Sequence, residues 1–289
     1  NLYDIKIKFK KSMKFIGSTV KGDGWVGKYY KLDQKKFDLL NLQSINITKY
    51  PYLLESSSRG NKKNRFSILF FKPKTLLQKT KEDKNSFLDE FDKIWKREKI
   101  DQNGLFFNNK KIPFCGGWFV YLGYELVEEI EHRLNIPKSP FKLPTAFASR
   151  VNTAIIFDHV DNEILITSDD KDSFFDDILE IEEDFKKIIN ESVKLSGKIK
   201  ILKKGSEHEH QEQVKKCIDY IFQGEIFQAN LSRLWKFRID RKIDEVEIYR
   251  QLRNKNPSPF AGLINYKGSN IICSSPERLV SVNGEYLET

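Results

Sequence analysis

The sequence has few of the residues on which several classes of protein depend. Its three cysteines, Cys115, Cys217 and Cys273, lie far apart in apolar segments. They show neither the spacing of metal ligands nor a disulfide framework, so we expect a reducing, cytoplasmic compartment. No apolar run approaches the roughly 20 residues of a membrane helix, and the first residues do not resemble a signal peptide. We therefore expect no membrane partner.

The motifs of the commonest catalytic and nucleotide-binding sites are also absent. The four histidines show no triad and no metal-ligand pattern. The glycine-rich segments fit neither a P-loop nor a dinucleotide-binding fingerprint. Ser232 and Ser275 lack the surroundings of a nucleophile elbow. Any chemistry therefore has to come from carboxylates and other polar groups.

The chain is basic, with 50 Lys and Arg against 41 Asp and Glu and a net charge of +9. The lysines are spread among acids, as in 81–84 and 182–187. A nucleic-acid site shows clustered basic residues, and no basic run here is interleaved with exposed aromatics. We interpret the charge as a solvated basic surface and expect no nucleic-acid partner.

The composition is sufficient for a large core, with 39% hydrophobic residues and 22 Phe. Alternating apolar segments predict long strands joined by hairpins, two of which turn at Lys267-Gly268 and Asn283-Gly284. With helices inserted between them, the pattern predicts an α+β fold of largely antiparallel β-sheets flanked by helices. A polar linker over about 190–205 is the best boundary, and predicts domains at 1–190 and 206–289.

The second predicted domain opens with a clear helix signal. Ser206 and Glu209 form a capping box, and Gly224 is placed to end the helix. The long strand Ile226–Ile239 follows, with the polar residues Gln228, Asn230 and Ser232 on one face. We expect the following residues of the helix to face inward: Val214, Cys217, Ile218, Ile221 and Phe222.

Glu277 follows Pro276 at the junction of two predicted strands. A carboxyl group at a strand end is well placed to point into a cleft, where burial would raise its pKa and suit it to general acid catalysis. The alternative is an exposed turn glutamate paired with Arg278. The spacing alone favours the exposed turn.

Two further polar segments carry more than one interpretation. Glu55–Ser58 is either a turn or a small-molecule clamp. Pro257–Phe260 contains two prolines that fix an extended backbone, which suits a rigid connector or a flat pocket wall.

Arg233 is either a surface residue or a bidentate partner of a ligand carboxylate.

Four segments of the chain form a recognisable set. Two of them are Gly224-Glu-Ile-Phe-Gln-Ala-Asn-Leu-Ser-Arg233 and Ser274-Ser-Pro-Glu-Arg-Leu279. The others are Asn256-Pro-Ser-Pro-Phe260 and Leu53-Leu-Glu-Ser56. Taken together, the four segments resemble the chorismate-utilising enzymes, which include the large subunits of anthranilate synthase and aminodeoxychorismate synthase. The order and spacing of the segments agree with the family, and the resemblance extends from about Tyr50 onward.

The resemblance implies that ammonia from a glutamine amidotransferase partner replaces the C4 hydroxyl of chorismate. The product is then 4-amino-4-deoxychorismate, for 4-aminobenzoate and folate synthesis. Residues 113–125 and 143–150 are more similar to this aminodeoxychorismate branch. The alternatives are anthranilate synthase component I, which adds nitrogen at C2 and releases pyruvate, and a non-catalytic tryptophan-binding fragment. The family also uses Mg²⁺ to hold the ring carboxylate.

The family's site residues map onto this sequence by motif. Glu277 takes the role of general acid/base at the C4 hydroxyl. The family pattern continues beyond Thr289, so we expect the substrate contacts and magnesium ligands there, none in this chain, and a fragment that is inactive alone. The resemblance implies a tryptophan pocket formed by Glu55, Ser56, Arg65, Phe66, Pro257, Ser258 and Phe260.

Overall fold

Antiparallel strands are the most common regular element of the computed structural model. The residues that the structure describes are 6–8, 14–22, 24–32, 37–57, 65–98, 105–107, 110–188, 199–239, 244–283 and 285–288. None of the helices within these ranges is long and apolar enough to cross a membrane. The chain divides into two units, one made of residues 1–191 and 248–289 and the other of 192–247.

The described residues form five α-helices, a 3-10 helix and eighteen strands. The helices are α1 (Leu39–Ile45), α2 (Phe87–Glu98), α3 (Phe174–Lys187), α4 (Glu207–Phe222) and α5 (Glu245–Lys255), with a 3-10 helix at Tyr124–Glu129. The strands are β1 (Lys6–Lys8), β2 (Lys14–Gly22), β3 (Trp25–Leu32), β4 (Tyr52–Glu55), β5 (Phe66–Phe71), β6 (Lys74–Lys79), β7 (Phe106–Phe107), β8 (Lys110–Lys111), β9 (Gly117–Leu122), β10 (Ala146–Val151), β11 (Thr153–Asp158), β12 (Glu163–Ser168), β13 (Ile199–Lys203), β14 (Lys236–Ile239), β15 (Phe260–Tyr266), β16 (Ser269–Ser275), β17 (Ser281–Asn283) and β18 (Tyr286–Glu288). The α+β prediction is confirmed.

The larger unit is built on a nine-stranded sheet in the order β1-β2-β3-β12-β11-β5-β4-β15-β16. All of its neighbouring strands run antiparallel. The hairpin β15–β16 turns at Lys267 and Gly268, whose φ angles of 49° and 82° are both positive. Tight hairpin turns need such angles and favour glycine for them. The predicted hairpin at this position is confirmed.

A second sheet of three strands, β6-β10-β9, packs against the first. The contact is aromatic: the rings of Tyr52 and Phe119 stack at 4.1 Å between centroids, and those of Phe147 and Tyr266 at 4.0 Å. Large aromatic side chains bury much apolar surface and favour such offset stacking. This layer is the core that the phenylalanine content predicts.

Helix α3 covers the opposite face of the large sheet through buried carboxylates. On β11, Ala154 packs toward the small sheet, whereas Thr153 donates to a carboxylate of α3. Farther along α3, Glu182 accepts hydrogen bonds from Tyr30 Oη at 2.7 Å and from Lys28 Nζ at 2.6 Å. Buried charges are stable only when they are paired and hydrogen-bonded, and this pairing fixes the helix on the sheet.

The smaller unit contains α4, β13 and β14. The Ser206 side chain accepts a hydrogen bond from Glu209 N at 3.1 Å, which confirms the predicted cap. Gly224 follows the helix with a φ of 77°, as a helix C-terminus favours. The predicted inward face is wrong, because no residue of α4 is buried and Phe222 is 86% exposed. The described strands of this unit are too short to cover that face.

The predicted strand Ile226–Ile239 is also wrong over most of its length. Only Lys236–Ile239 forms a strand, paired with β13, and β13 itself lies within the predicted linker. A strand exists only where a neighbour accepts and donates its backbone hydrogen bonds. Within the described chain, 226–235 has no such neighbour, so its polar residues do not form one strand face.

The predicted domains at 1–190 and 206–289 stay a prediction. The structure adds that β15 and β16 join the large sheet through β4, far from them in sequence. Strand β1 covers Lys6–Lys8, and the residues on both sides of it lie outside the described ranges. Thr289 is also outside them.

Asp184 on α3 is a buried carboxylate that is paired with residues preceding β4. It accepts hydrogen bonds from Tyr50 Oη at 3.0 Å and from Lys49. Burial raises the pKa of Asp184, but the hydrogen bonds from Lys49, Lys187 and Tyr50 outweigh burial and hold the pKa below its ordinary value. Its stabilisation is therefore complete above the ordinary value of about 3.9. It is lost as the pH falls through the lower folded-state value.

We expect Asp184→Asn to lower the free energy of unfolding at pH 7 by about 3 kcal/mol, because it removes one partner of a buried ion pair. Its stability should also vary less with pH in the acid range. Urea unfolding followed by tryptophan fluorescence at pH 7 and at lower pH measures both effects. Glu180→Gln is the matched control: Glu180 also binds Lys49 but its side chain is 37% exposed, so we expect a loss below about 1 kcal/mol. Equal losses in the two variants would contradict the argument.

Candidate functional site

Two of the predicted segments meet where β4 ends. The antiparallel register of β4 and β15 places Ala261 opposite Glu55. The residues after Glu55 therefore lie beside the residues before Ala261. We call this pair of segments, 55–57 and 257–260, the clamp. It brings together five of the seven predicted tryptophan-pocket residues: Glu55, Ser56, Pro257, Ser258 and Phe260.

Serine side chains hold the two segments of the clamp together. Ser57 Oγ donates to the Ser258 carbonyl at 2.9 Å and accepts from Ser258 N at 2.8 Å. Ser56 Oγ donates to the Pro259 carbonyl at 2.9 Å. Ser258 Oγ donates to the carbonyl of Ser275 at the end of β16. These bonds satisfy backbone groups that the sheet leaves open, and they explain the run of serines in this segment.

The carboxylate of Glu55 faces α5. Its Oε2 accepts from Tyr249 Oη at 2.8 Å, and both oxygens accept from Arg253 Nη1, at 2.7 and 2.9 Å. Arg253 also binds Asp38, the N-cap residue of α1. Burial opposes the charge of Arg253, but the carboxylates of Glu55 and Asp38 outweigh it and raise the pKa of Arg253. The sequence motifs do not predict Arg253, Tyr249 or Asp38, although Arg253 lies three residues before the Asn256–Phe260 motif.

The other two predicted pocket residues have different partners. Arg65 donates to Asp158 Oδ2 from Nε at 2.9 Å and from Nη2 at 2.7 Å. Phe66 packs against the buried cluster around Trp25. Both side chains therefore make contacts away from the clamp, and their place in a tryptophan pocket stays a prediction.

Glu277 lies in the exposed segment that follows β16. Ser275 Oγ donates to its backbone carbonyl at 3.1 Å. The next residue, Arg278, places its guanidinium 5.4 Å from the ring centre of Phe260, so the segment adjoins the clamp. The described residues leave the Glu277 side chain in solvent, and its catalytic role stays a prediction.

One group of carboxylates has the spacing of a metal site: Asp158, Asp161 and Glu163. Arg65 binds both aspartates and Lys110 binds Asp161. The hydrogen bond from Lys110 holds the pKa of Asp161 below its ordinary value. Carboxylate oxygens are the ligands that Mg²⁺ prefers. The three carboxylates of this group, however, already pair with the cationic side chains of Arg65 and Lys110. They do not fit a magnesium site.

Two open clefts border the 3-10 helix, with volumes of about 440 and 500 Å³. Lys81, Glu125 and Thr145 line both of them. Glu277 and the seven predicted pocket residues line neither cleft. Several of the charged lining residues are already paired, such as Lys138 with Glu82 at 2.6 Å, and we assign neither cleft a role in catalysis.

Comparisons with known proteins show the family and the fold of this chain. The family model of the chorismate binding enzymes matches residues 50–289. The chain belongs to this family. A crystal structure of anthranilate synthase component I from Streptococcus pneumoniae TIGR4 has the same fold, with a TM-score of 0.60 and 21% identity over 77% of this chain and 53% of that one.

Several curated relatives are named as anthranilate synthase components or as similar to them. The anthranilate synthase component I-like protein of Synechocystis is 27% identical over 62% of this chain and 36% of its own length. The anthranilate synthase component 1 of Cereibacter sphaeroides is 25% identical over 79% and 51%, and that of Acetivibrio thermocellus 26% over 82% and 53%. The chain thus spans about a third to a half of the curated relatives it matches.

Substitution of Ser258 tests the assembly of the clamp. Its side chain is buried and supplies the donor to the carbonyl of the half-buried Ser275. Ser258→Ala removes that donor, so we expect a loss of about 1–3 kcal/mol in the free energy of unfolding. Chemical unfolding measures it. Ser269→Ala removes an exposed hydroxyl of the same sheet and should cost less than about 0.5 kcal/mol. Equal effects would show that the clamp bonds are not stabilising.

Proposed function

We propose that this chain is part of a component I enzyme that transfers ammonia to chorismate. The observation that carries the proposal is the family match over residues 50–289. Within that range the Ser-Pro-Glu segment follows β16 and adjoins the clamp. The chain spans only part of its relatives, so the activity is proposed for the complete gene product.

Anthranilate is the product that the relatives favour. The bacterial relatives from Cereibacter and Acetivibrio are both named anthranilate synthase component 1. In that reaction nitrogen is added at C2 and pyruvate leaves. The second candidate product is 4-amino-4-deoxychorismate, which residues 113–125 and 143–150 favour through their similarity to the aminodeoxychorismate branch.

Glu277 has a defined chemical task in this proposal. Hydroxide is a poor leaving group, so the C4 hydroxyl of chorismate needs a proton as its C–O bond breaks. A carboxylic acid within hydrogen-bond distance delivers that proton as general acid catalysis requires. Glu277 is exposed, so a substrate can approach its carboxylate. Pro276, with its fixed φ angle, limits the directions in which the segment presents that carboxylate.

The partner and the metal belong to the same proposal. Ammonia is supplied by a glutamine amidotransferase, and Mg²⁺ holds the ring carboxylate of chorismate. Product analysis tests the reaction class with the complete gene product, ammonia, Mg²⁺ and chorismate. Anthranilate is detected by its fluorescence and 4-amino-4-deoxychorismate by chromatography. Absence of both products would overturn the proposed activity.

Glu277→Gln should lower the turnover of chorismate by at least about 100-fold, the contribution typical of a general acid. Glutamine keeps the size and polarity of the side chain but cannot deliver the proton. Steady-state kinetics with the complete gene product measures the change. Glu285→Gln is the matched control, because Glu285 is another exposed glutamate close in sequence, and we expect its turnover to stay within about twofold. A Glu277→Gln enzyme with unchanged turnover would remove Glu277 from the mechanism.

We also propose that the clamp binds L-tryptophan as an effector. Two prolines and Phe260 provide an apolar wall, and Glu55 provides a carboxylate for the ammonium group. Phe260→Ala should weaken binding about tenfold, equivalent to about 1.4 kcal/mol of lost apolar contact. Calorimetry of the chain with L-tryptophan measures it. Phe175→Ala, which removes a phenylalanine that is 68% exposed on α3, should leave the affinity unchanged; equal losses would contradict a site at the clamp.

A further inference from the structure

The cleft of about 440 Å³ is formed by the β15–β16 hairpin turn, β6 and the segment 138–145. We call it the turn cleft. Its volume lies within the range of about 300–1,000 Å³ that small-molecule sites occupy. Ser269, directly after the turn, donates from Oγ to the carbonyl of Lys142 at 3.1 Å and so joins that segment to the hairpin. All lining residues belong to the larger unit, so one folded body forms the cleft.

The turn cleft has an excess of positive charge. Its charged lining residues are Lys81, Lys138, Lys142, Lys267, Glu82 and Glu125. Lys138 is paired with Glu82 at 2.6 Å, and Lys81 with Glu128 at 3.4 Å. In the described part of the chain, no carboxylate is paired with Lys142 or Lys267. These two ammonium groups and the carboxylate of Glu125 leave one net positive charge, which favours a monoanionic ligand.

Gln78 on β6 shows where the remaining hydrogen-bond donors are. Its Oε1 accepts from Lys267 Nζ at 2.8 Å and from Tyr266 Oη. An ammonium group can only donate, so the amide oxygen faces Lys267 and the amide nitrogen keeps its two donors for a ligand. Lys267 uses one of its three N–H donors on Gln78 and keeps two. Donors from β6 and from the hairpin turn are therefore available in the same cleft.

The backbone of Lys267 is unusual for a lysine. Its φ is 49° and that of Gly268 is 82°, in a two-residue hairpin turn. Asn-Gly is a favoured sequence for such a turn, because asparagine adopts positive φ more readily than lysine. Lys72 also has a positive φ, 43°, and its ammonium group is paired with Glu180. Lys267 has no such carboxylate among the described residues, and strained residues of this kind cluster at ligand sites.

Apolar side chains form the rest of the turn cleft: Phe141, Leu143, Pro144 and Tyr266 line it. The Tyr266 ring is buried and stacks on Phe147 at 4.0 Å between centroids, so this side of the cleft is preformed. Phe141 is 58% exposed. An aromatic ring that binds against Phe141 removes apolar surface of both rings from water.

We propose that the turn cleft binds an aromatic monocarboxylate. Its carboxylate accepts hydrogen bonds from Lys267, Lys142 and the amide nitrogen of Gln78, and its ring packs against Phe141. The cleft lies at the far end of β15 from the clamp, roughly 20 Å away at about 3.4 Å per residue. The inference therefore depends neither on the proposed reaction nor on tryptophan binding.

Titration of the 289-residue chain with 2-naphthoate, followed by NMR of the ligand signals, tests the proposal. The neutral probe 2-naphthalenemethanol has the same ring without the charge. Lys267→Asn gives the turn its favoured Asn-Gly sequence and removes the ammonium group. We expect it to weaken 2-naphthoate binding about tenfold, as the loss of one charge-assisted hydrogen bond does. Binding of the neutral probe should stay within about twofold, and the melting temperature should be unchanged or higher.

Lys72→Asn is the matched control, because it makes the same substitution at another lysine with positive φ, outside the cleft. We expect it to leave the affinity for 2-naphthoate unchanged. Phe141→Ala removes an apolar contact that both probes share, so it should weaken both by a similar factor. Lys142→Gln leaves the turn unaltered and should weaken 2-naphthoate alone, by about fivefold to tenfold.

Three results would overturn the inference. One is wild-type binding of 2-naphthoate that is undetectable or no tighter than that of the neutral probe. Another is an unchanged 2-naphthoate affinity in Lys267→Asn, and the third is an equal loss of both probes in that variant. If Lys267→Asn fails to fold, Lys142→Gln decides between the same outcomes. A selective loss of 2-naphthoate binding supports the site even if the complete gene product forms no product from chorismate.

Discussion

The pairing of β4 with β15 is the interaction on which the structure depends. It joins Tyr52–Glu55 to a strand that lies about 200 residues later in the chain, and so adds β15 and β16 to the large sheet. Bringing such distant segments together costs chain entropy that only many further contacts offset. Those contacts are the stacked aromatic rings beneath the pair, between Tyr52 and Phe119 and between Phe147 and Tyr266.

The clamp is a direct result of this pairing. Once Glu55 lies opposite Ala261, the serines that follow β4 face the prolines that precede β15. Helix α5 ends immediately before that point, and its Arg253 therefore reaches Glu55. The candidate site and the ion pair between Arg253 and Glu55 thus have the same geometric cause. A family whose members differ widely in sequence can keep such a site as long as the strand register is kept.

Local elements were predictable because their signals are local. The Ser206 cap, the Gly224 stop and the Lys267-Gly268 turn each depend on neighbouring residues alone. The fold class followed from the alternation of apolar residues. The inward face of α4 and the strand over Ile226–Trp235 were not predictable, because burial and strand pairing depend on a partner that the local pattern does not identify.

The sequence by itself determined the family, the antiparallel fold class and the segments that compose the candidate site. Short motifs carry this information because backbone conformation and residue chemistry are encoded where they occur. Only the tertiary structure decided that Glu55 is neutralised by Arg253 and held by Tyr249, and that Arg65 binds Asp158 instead of the clamp. The reason is physical: a charged side chain pairs with whichever opposite charge the fold brings within a few ångströms, and that distance is a property of the assembled sheet.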